Sequence, residues 1–352
     1  MKKILVMALM AIAATGAAFA QSPSLATLSH EGTLTTFYGA EGLARAHTAA
    51  VAGDVITLSS GLFTATDITK AVSIRGVGML DDVTAGATPS VIAGNFKVSI
   101  ANSSEKSLTM EGVYCSNQLA YDGELENARF SKCRINIVTS ETDAARLINA
   151  TFVHCYITGR FDLRTNSNSQ LYNCVVTNPN SYHENTANFM MVNCVICCTY
   201  SSTGSNAVAN SPSFIKSSVL ENCYIYSKYS TNTSYNLGGS LLPITTQVTN
   251  CISNYKAGDY NIFGNSTNTT NKIVTTDNVF KTWRGGGSDS DTFELTDYAA
   301  STYLGADGTQ IGIYGGILPF DKRPAYARFT KVEIPAQATD GKLPVKVEFA
   351  TE

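Results

Sequence analysis

A coil of parallel β-strands is the fold class this sequence predicts, and three observations predict it. A six-residue pattern centred on cysteine recurs along the middle of the chain: FSKCRI (130–135), FVHCYI (152–157), LYNCVV (171–176), MVNCVI (191–196), LENCYI (220–225) and the looser VTNCIS (248–253). The cysteines follow one another at steps of 22, 19, 20, 29 and 28 residues, and a step near twenty that tolerates insertions marks a solenoid. Each copy alternates apolar and polar positions, is rich in β-branched and aromatic residues, and is bounded by Asn, Ser, Gly and Thr. Helical periodicity is weak. One turn of a three-strand parallel β-helix needs about this many residues.

The elements follow in chain order. Lys2 and Lys3, the apolar run Ile4–Ala18 and the small-x-small site Ala18-Phe19-Ala20 read as a secretory signal over 1–20, cut before Gln21. No later run reaches the ~20 apolar residues of a spanning helix. The expectation is a secreted, periplasmic or cell-surface protein without a membrane span. Residues 21–53 form an amino-terminal segment and a cap helix, in which Leu43, Ala46, Ala49 and Ala50 make an amphipathic face. Ala52-Gly53-Asp54 ends the helix, and Val55, Thr57 and Phe63 open strand alternation. Coils fill 54–318, with Gly308 to Gly316 finishing the last one. Over 319–352, Ala325–Ile334 and Leu343–Phe349 read as two strands joined through Asp340-Gly341, a hairpin turn signal.

Stacking gives the cysteines a physical role. Equivalent positions in successive coils lie roughly 4.8 Å apart, so inward positions form rows of like residues. Cysteine is a small hydrophobe that suits such a row. Disulfides are the alternative in an exported chain, but nine cysteines cannot all pair within it. Neighbours in a row have parallel Cβ vectors, whereas a disulfide needs a particular torsion. Mostly free, buried thiols are expected, with Cys197 and Cys198 outside the row. VYCSNQL around Cys115 reads as a degenerate earlier copy. Asn173, Asn193, Asn222 and Asn250 precede four of the cysteines; Asn tolerates turn conformations, and a ladder of stacked amides is expected.

The stretch FYGAEGLARAHTAAVAGDVITLSSGLFTATDITKAVSIRGVG (37–78) resembles the amino end of right-handed parallel β-helix proteins of the pectate lyase-like superfamily. There a helix precedes A-x-x-GD-x-I-x-L-x-x-G-x-[YF], then I-x-K and I-x-G-x-G. Ala49, Gly53, Asp54, Ile56, Leu58, Gly61, Phe63, Ile68, Lys70, Ile74, Gly76 and Gly78 match in order. The N-C-x-I repeats are similar as well. The carboxyl end, 304–349, resembles that of exported β-helix proteins from gut anaerobes. The resemblance implies right-handedness and an all-β solenoid whose helix covers the open end of the core. Relatives of this kind include polysaccharide lyases, glycoside hydrolases, esterases and adhesins, so the fold does not imply an activity. The Asn-Thr-Asp, Gly-His-Gly and Arg-Ile-Lys motifs of polygalacturonases are absent. So are the Arg-x-Pro pattern of calcium pectate lyases and the Asp, Gln and Arg spacing of pectin methylesterases. No catalytic residue carries over, and none is assigned.

Candidate ligand-binding residues come from local clusters. In GRFDLR, Arg160, Asp162 and Arg164 share the outer face of a strand and could grip an acidic sugar; a solvated ion-pair row is the other reading. Tyr182 and His183 sit beside Glu184 in a loop, where acid–base work or plain solvation both fit. Tyr226 and Tyr229, in the polar stretch 224–236, suit sugar stacking or loop packing. Asp122, Glu124 and Glu126 could hold calcium, although no motif supports it and alternating acids on an exposed strand explain them equally; no cofactor is implied. Trp283 reads as closing a hydrophobic end.

Charged residues make up only 15% of the chain and no basic stripe is visible, which excludes a nucleic-acid partner. The leading expectation is a non-catalytic exported protein that contacts polysaccharide or a cell-surface glycan. The alternatives are a polysaccharide lyase or glycoside hydrolase with an unfamiliar site, and a purely structural or adhesive protein.

Overall fold

The computed structural model describes residues 24–80, 88–101, 107–162, 165–177, 179–180, 185–187, 189–198, 218–227, 247–254, 256–257, 260–261, 270–274, 278–282, 292–321, 323, 328–333 and 346–350. Strands Glu124–Glu126, Arg129–Ser131 and Arg134–Ser140 succeed one another in the chain and lie in three different sheets. Arg146–Ile148, Thr151–Val153 and Tyr156–Asp162 return to those sheets one place along, each parallel to its predecessor. Thr165–Ser167, Gln170–Tyr172 and Val175–Thr177 repeat the cycle. The result is an all-β chain of long stacked sheets, one of eleven strands, one of twelve and a short one of four. The pairing within them is mostly parallel and is compatible with a β-helix.

Registers bring like residues together. Phe130, Phe152, Leu171, Met191, Leu220 and Val248 occupy one inward row. The rings of Phe130 and Phe152 stack at 4.7 Å and 11°, and Phe161 meets Phe152 edge-on at 5.6 Å. The cysteine row is present. Cys133, Cys155, Cys174, Cys194, Cys223 and Cys251 are buried and unbridged.

Their contacts explain the residue type. Each sits just past a turn, where its amide N–H points along the stack. The N–H groups of Cys155, Cys194 and Cys223 donate to the sulfur of the next coil at 3.3–3.4 Å. In turn, the Cys155, Cys174 and Cys223 thiols donate to carbonyls of the preceding coil, Phe130, Phe152 and Met191, each at 3.4 Å. Sulfur is thus both small filler and weak partner. After the last copy, Asn271 Oδ1 takes over and accepts from the Cys251 N–H at 2.8 Å. Cys115 does not belong to this row. It lies opposite Ile135, while Glu111 lies opposite Ser131, which puts Val113 in the slot facing Cys133.

The residue before each cysteine is left-handed, with φ between 50° and 55° at Lys132, His154, Asn173, Asn193, Asn222 and Asn250. Asn is among the few side chains that tolerate this region. A second turn row, Asn127, Asn149 and Asn168, has the same conformation between the short sheet and the eleven-stranded one. The amide ladder is only partly formed. Asn250 Nδ2 donates to Asn222 Oδ1 at 3.3 Å and Asn149 Nδ2 to Asn127 Oδ1 at 3.4 Å, but Asn173 turns elsewhere, as described below.

At the amino end the cap helix is α1 (Gly42–Ala49). Leu43, Ala46 and Ala50 are buried as expected, but Ala49 is exposed and His47 takes its place in the core face. Lys70 Nζ donates to the carbonyls of His47, Thr48 and Ala50 at 2.7–2.9 Å, satisfying the end of the helix. Asp54 accepts from the Val51 N–H at 2.8 Å and pairs with His30 at 2.9 Å. A hairpin of Leu25–His30 and Thr33–Tyr38, turning through left-handed Glu31 and Gly32, adds two antiparallel strands to the end of the eleven-stranded sheet.

The carboxyl-terminal segment departs from expectation. Gly308 to Gly316 does not add a coil to the stack, whose last strand among the described residues is Lys272–Ile273, paired to Ile252–Ser253. Residues 292–321 instead fold back along the outside of the twelve-stranded sheet. The reason is the outward row of that sheet. Tyr156, Val175, Val195, Tyr224 and Ile252 follow one another on its outer face and need a cover. Phe280, Phe293, Leu295, Ala299, Ile311 and Ile313 supply it. Each fully buried apolar side chain of this size contributes roughly 2 kcal/mol. Beyond it, Arg328–Glu333 and Lys346–Ala350 form the expected antiparallel pair.

Candidate functional site

The strap formed by residues 305–321 and 323 is tied to the left-handed turn row, one coil after another. The Gly312 N–H donates to the Asn222 carbonyl at 2.8 Å. Asn173 Nδ2 donates to the Ile313 and Gly315 carbonyls, both at 2.8 Å. His154 Nε2 meets the Leu318 carbonyl at 2.9 Å, and Lys132 Nζ reaches Asp321 Oδ2 at 3.2 Å and the Arg323 carbonyl. A Cβ on Gly316 would stand 2.2 Å from Asn193 Nδ2 and force that amide to shift, and the φ of +76° strains any other residue there. Lys132 and His154, which stand where later copies have Asn, thus also reach the strap.

Between strap and sheet lies a cleft of about 360 Å³, lined by Tyr156 and Val175 from the sheet, Leu80 from an earlier coil, and Phe293, Tyr314, Phe320, Glu294, Asp321 and Arg323 from the carboxyl-terminal segment. Tyr156 and Phe293 meet edge-on at 5.9 Å. Tyr314 and Phe320 do so at 6.1 Å. The Tyr314 hydroxyl donates to the Thr292 carbonyl at 3.0 Å. Burial pushes that phenol above its ordinary value, and Glu294 adds to the effect. Burial works against ionisation of Asp321, but hydrogen bonds from the Arg323 N–H and guanidinium and from Lys132 outweigh it and hold the carboxyl below the usual range. The arrangement offers the half-buried rings of Tyr314 and Phe320 for stacking, with Tyr156 and Phe293 buried behind them, and one fixed, cation-paired carboxylate.

The residues expected from the sequence lie elsewhere. Arg160 is exposed on strand Tyr156–Asp162, next to buried Phe161, and Asp162 ends that strand. Arg164, Tyr182, His183, Tyr229 and Trp283 lie outside the described residues. Tyr226 is 9% exposed and packs in the cluster beneath the carboxyl-terminal segment, which leaves its ring no open face for a sugar. It lies three strands along the sheet from Arg160, so the two do not converge. Glu124 faces Arg146 of the neighbouring strand, 3.9 Å away, rather than a second carboxylate.

Sequence reasoning missed the cleft because its walls come from residues 80, 156–175 and 292–323. The available signal was Lys132 and His154 breaking the Asn pattern. No family model, no curated protein and no solved structure matches this chain.

Proposed function

We propose that this chain is an exported right-handed parallel β-helix protein of the pectate lyase-like kind, and that it contacts carbohydrate without cleaving it. The observation that carries the reading is the aromatic-lined cleft between strap and sheet. Sugars present apolar C–H faces to aromatic rings and hydroxyls to fixed polar groups, and a concave, mostly apolar site with few polar groups suits them. Polysaccharide or a cell-surface glycan is the partner.

A second reading, a glycoside hydrolase, is favoured by the presence of both Glu294 and Asp321 in one cleft. Glycoside hydrolysis needs one carboxyl kept protonated as an acid. The second carboxyl must be ionised, and Asp321, held between two cations, fits only that role; the acid would have to be Glu294, which is exposed, and this weighs toward binding. The export reading rests on the segment Lys2–Ala20, and the exported protein should begin at Gln21.

The test is a panel of acidic and neutral polysaccharides, scored for binding, for new reducing ends and for unsaturated products. Binding that is lost in Phe320→Ala, with no products, supports the proposal. Products from any glycan, abolished by Glu294→Gln, would replace it with the hydrolase reading. Absence of both would leave the structural or adhesive role in its place.

A further inference from the structure

The eleven-stranded sheet ends at Thr33–Tyr38 (TLTTFY), the last strand in its order. Its partner Leu25–His30 joins it through a two-residue turn, Glu31-Gly32, with both residues left-handed. In such a hairpin the flanking residues, His30 and Thr33, form a hydrogen-bonded pair. Alternation then turns the N–H and C=O groups of Thr33, Thr35 and Phe37 toward the neighbouring strand. Those of Leu34, Thr36 and Tyr38 face outward. The Arg45 guanidinium donates to the Tyr38 carbonyl, which fits this assignment. Among the described residues, no hydrogen bond reaches the backbone of Leu34 or Thr36 from outside the hairpin.

Natural sheets blunt such an edge with lysine, proline, a bulge or a covering element. TLTTFY has no lysine and no proline, and its pairing runs without a register shift. Its side chains are almost all exposed, Leu34 by 69% and Tyr38 by 64%. These two lie on one face, two residues either side of Thr36.

We propose that this strand pairs antiparallel with the same strand of a second copy, about a two-fold axis through Thr36. That register sets Thr36 against Thr36 of the other copy and Leu34 against Tyr38 of the other copy. Every outward backbone group then meets another outward group. The Tyr38 carbonyl, with two lone pairs, accepts from both Arg45 and Leu34 of the second copy. On the exposed face, two Leu–Tyr pairs cover apolar surface on either side of a Thr–Thr pair, itself a favourable cross-strand combination. Shifting the register by two residues leaves the Tyr38 ring uncovered. The strand carries no charge to repel its own image, and a self-complementary patch is what a two-fold dimer requires. The eleven-stranded sheet of one copy continues into that of the other. A six-residue strand pair is a small interface, so the dimer belongs to the weak, concentration-dependent class.

The experiment is sedimentation equilibrium of the purified protein from ~1 to ~100 µM, the range in which an interface of this size assembles. The expected result is a mass that doubles toward the upper end. Leu34→Lys alters an exposed side chain, Thr36→Pro removes an outward N–H, and both leave the hairpin bonds intact; each should hold the mass at the monomer. Thr36→Cys should cross-link to itself on mild oxidation, because hydrogen-bonded partners stand about 5.5 Å apart at Cα, within disulfide range. Thr35→Cys should not. A monomer at every concentration would overturn the proposal, as it would if residues ahead of Ser24 cover the edge. A dimer that persists in both variants without cross-linking through position 36 would overturn it too, by placing the interface elsewhere.

Discussion

Asn173 carries two separable loads, and a pair of substitutions pulls them apart. Its backbone is left-handed, φ 50°, and its amide donates two buried 2.8 Å hydrogen bonds to the strap. Asn173→Gly keeps the conformation and removes the bonds. At about 1 kcal/mol for each bond, the strap should lose about 2 kcal/mol of docking free energy. Asn173→Ala removes the bonds but keeps a Cβ in the left-handed region without the polar side chain that lets Asn tolerate it, a further loss of about 1 kcal/mol relative to glycine. Hydrogen exchange separates the two effects. The Gly312 amide, bonded across to Asn222 at 2.8 Å, reports strap docking and should exchange about thirtyfold faster in Asn173→Gly. Chemical denaturation reports the coils, and there alanine should be the worse of the two. An unchanged Gly312 exchange rate in Asn173→Gly would refute the anchoring argument. Equal denaturation midpoints for Ala and Gly would refute the conformational one.

Three further outcomes are expected. The Asp321 carboxyl is held below its ordinary value of 3.8, so its contribution to strap docking is complete above that pH and is lost as pH falls through the depressed value; protection of the Phe320 amide followed from pH 6 downward should fall with a midpoint below 3.8, and a loss centred at or above 3.8 would contradict it. Burial pushes the Cys115 thiol up to about 12, and the eight described thiols are all buried, so at pH 8 none of them should react with an aromatic disulfide reagent until denaturant is added; labelling of a row cysteine in the native protein would argue against the packing. A Cβ on Gly76 would lie 2.4 Å from the Gly112 carbonyl oxygen and 2.7 Å from Val113 Cγ1, so Gly76→Ala should lower stability by about 3 kcal/mol, read as a drop in urea midpoint; a midpoint equal to wild type would show that the turns can separate.

The coils were legible because they repeat. One cysteine per copy, with Asn before it and apolar residues at fixed offsets, reports the same inward slot each time, and the structure fills those slots as read. Cys115 misled because a residue type is a weaker guide than its offset; Val113 holds the slot two residues earlier. Ala49 and His47 exchanged places because a helix face of small residues leaves its rotation undecided, and the Thr69 N–H donating to His47 Nε2 at 3.2 Å settles it. The strap was hidden for a different reason. Its partners are about 90 to 190 residues away in the chain, and nothing local distinguishes a segment that closes a coil from one that lies across several. The same distance hid the cleft, whose aromatic residues read singly as packing. Arg160 was placed correctly on an outer face, but a face is not a site until other elements converge on it.

A stack of coils in contact only with their neighbours can come apart gradually, each end coil leaving on its own. The strap changes that arithmetic. Because one continuous segment is fastened at Lys132, His154, Asn173 and Asn222, the coil carrying Asn222 cannot leave without loosening what holds the one carrying Lys132. Local fraying becomes a shared event, and the stretch from Lys132 to Asn222 acquires the cooperativity of a compact domain while keeping the extended surface of its stacked sheets.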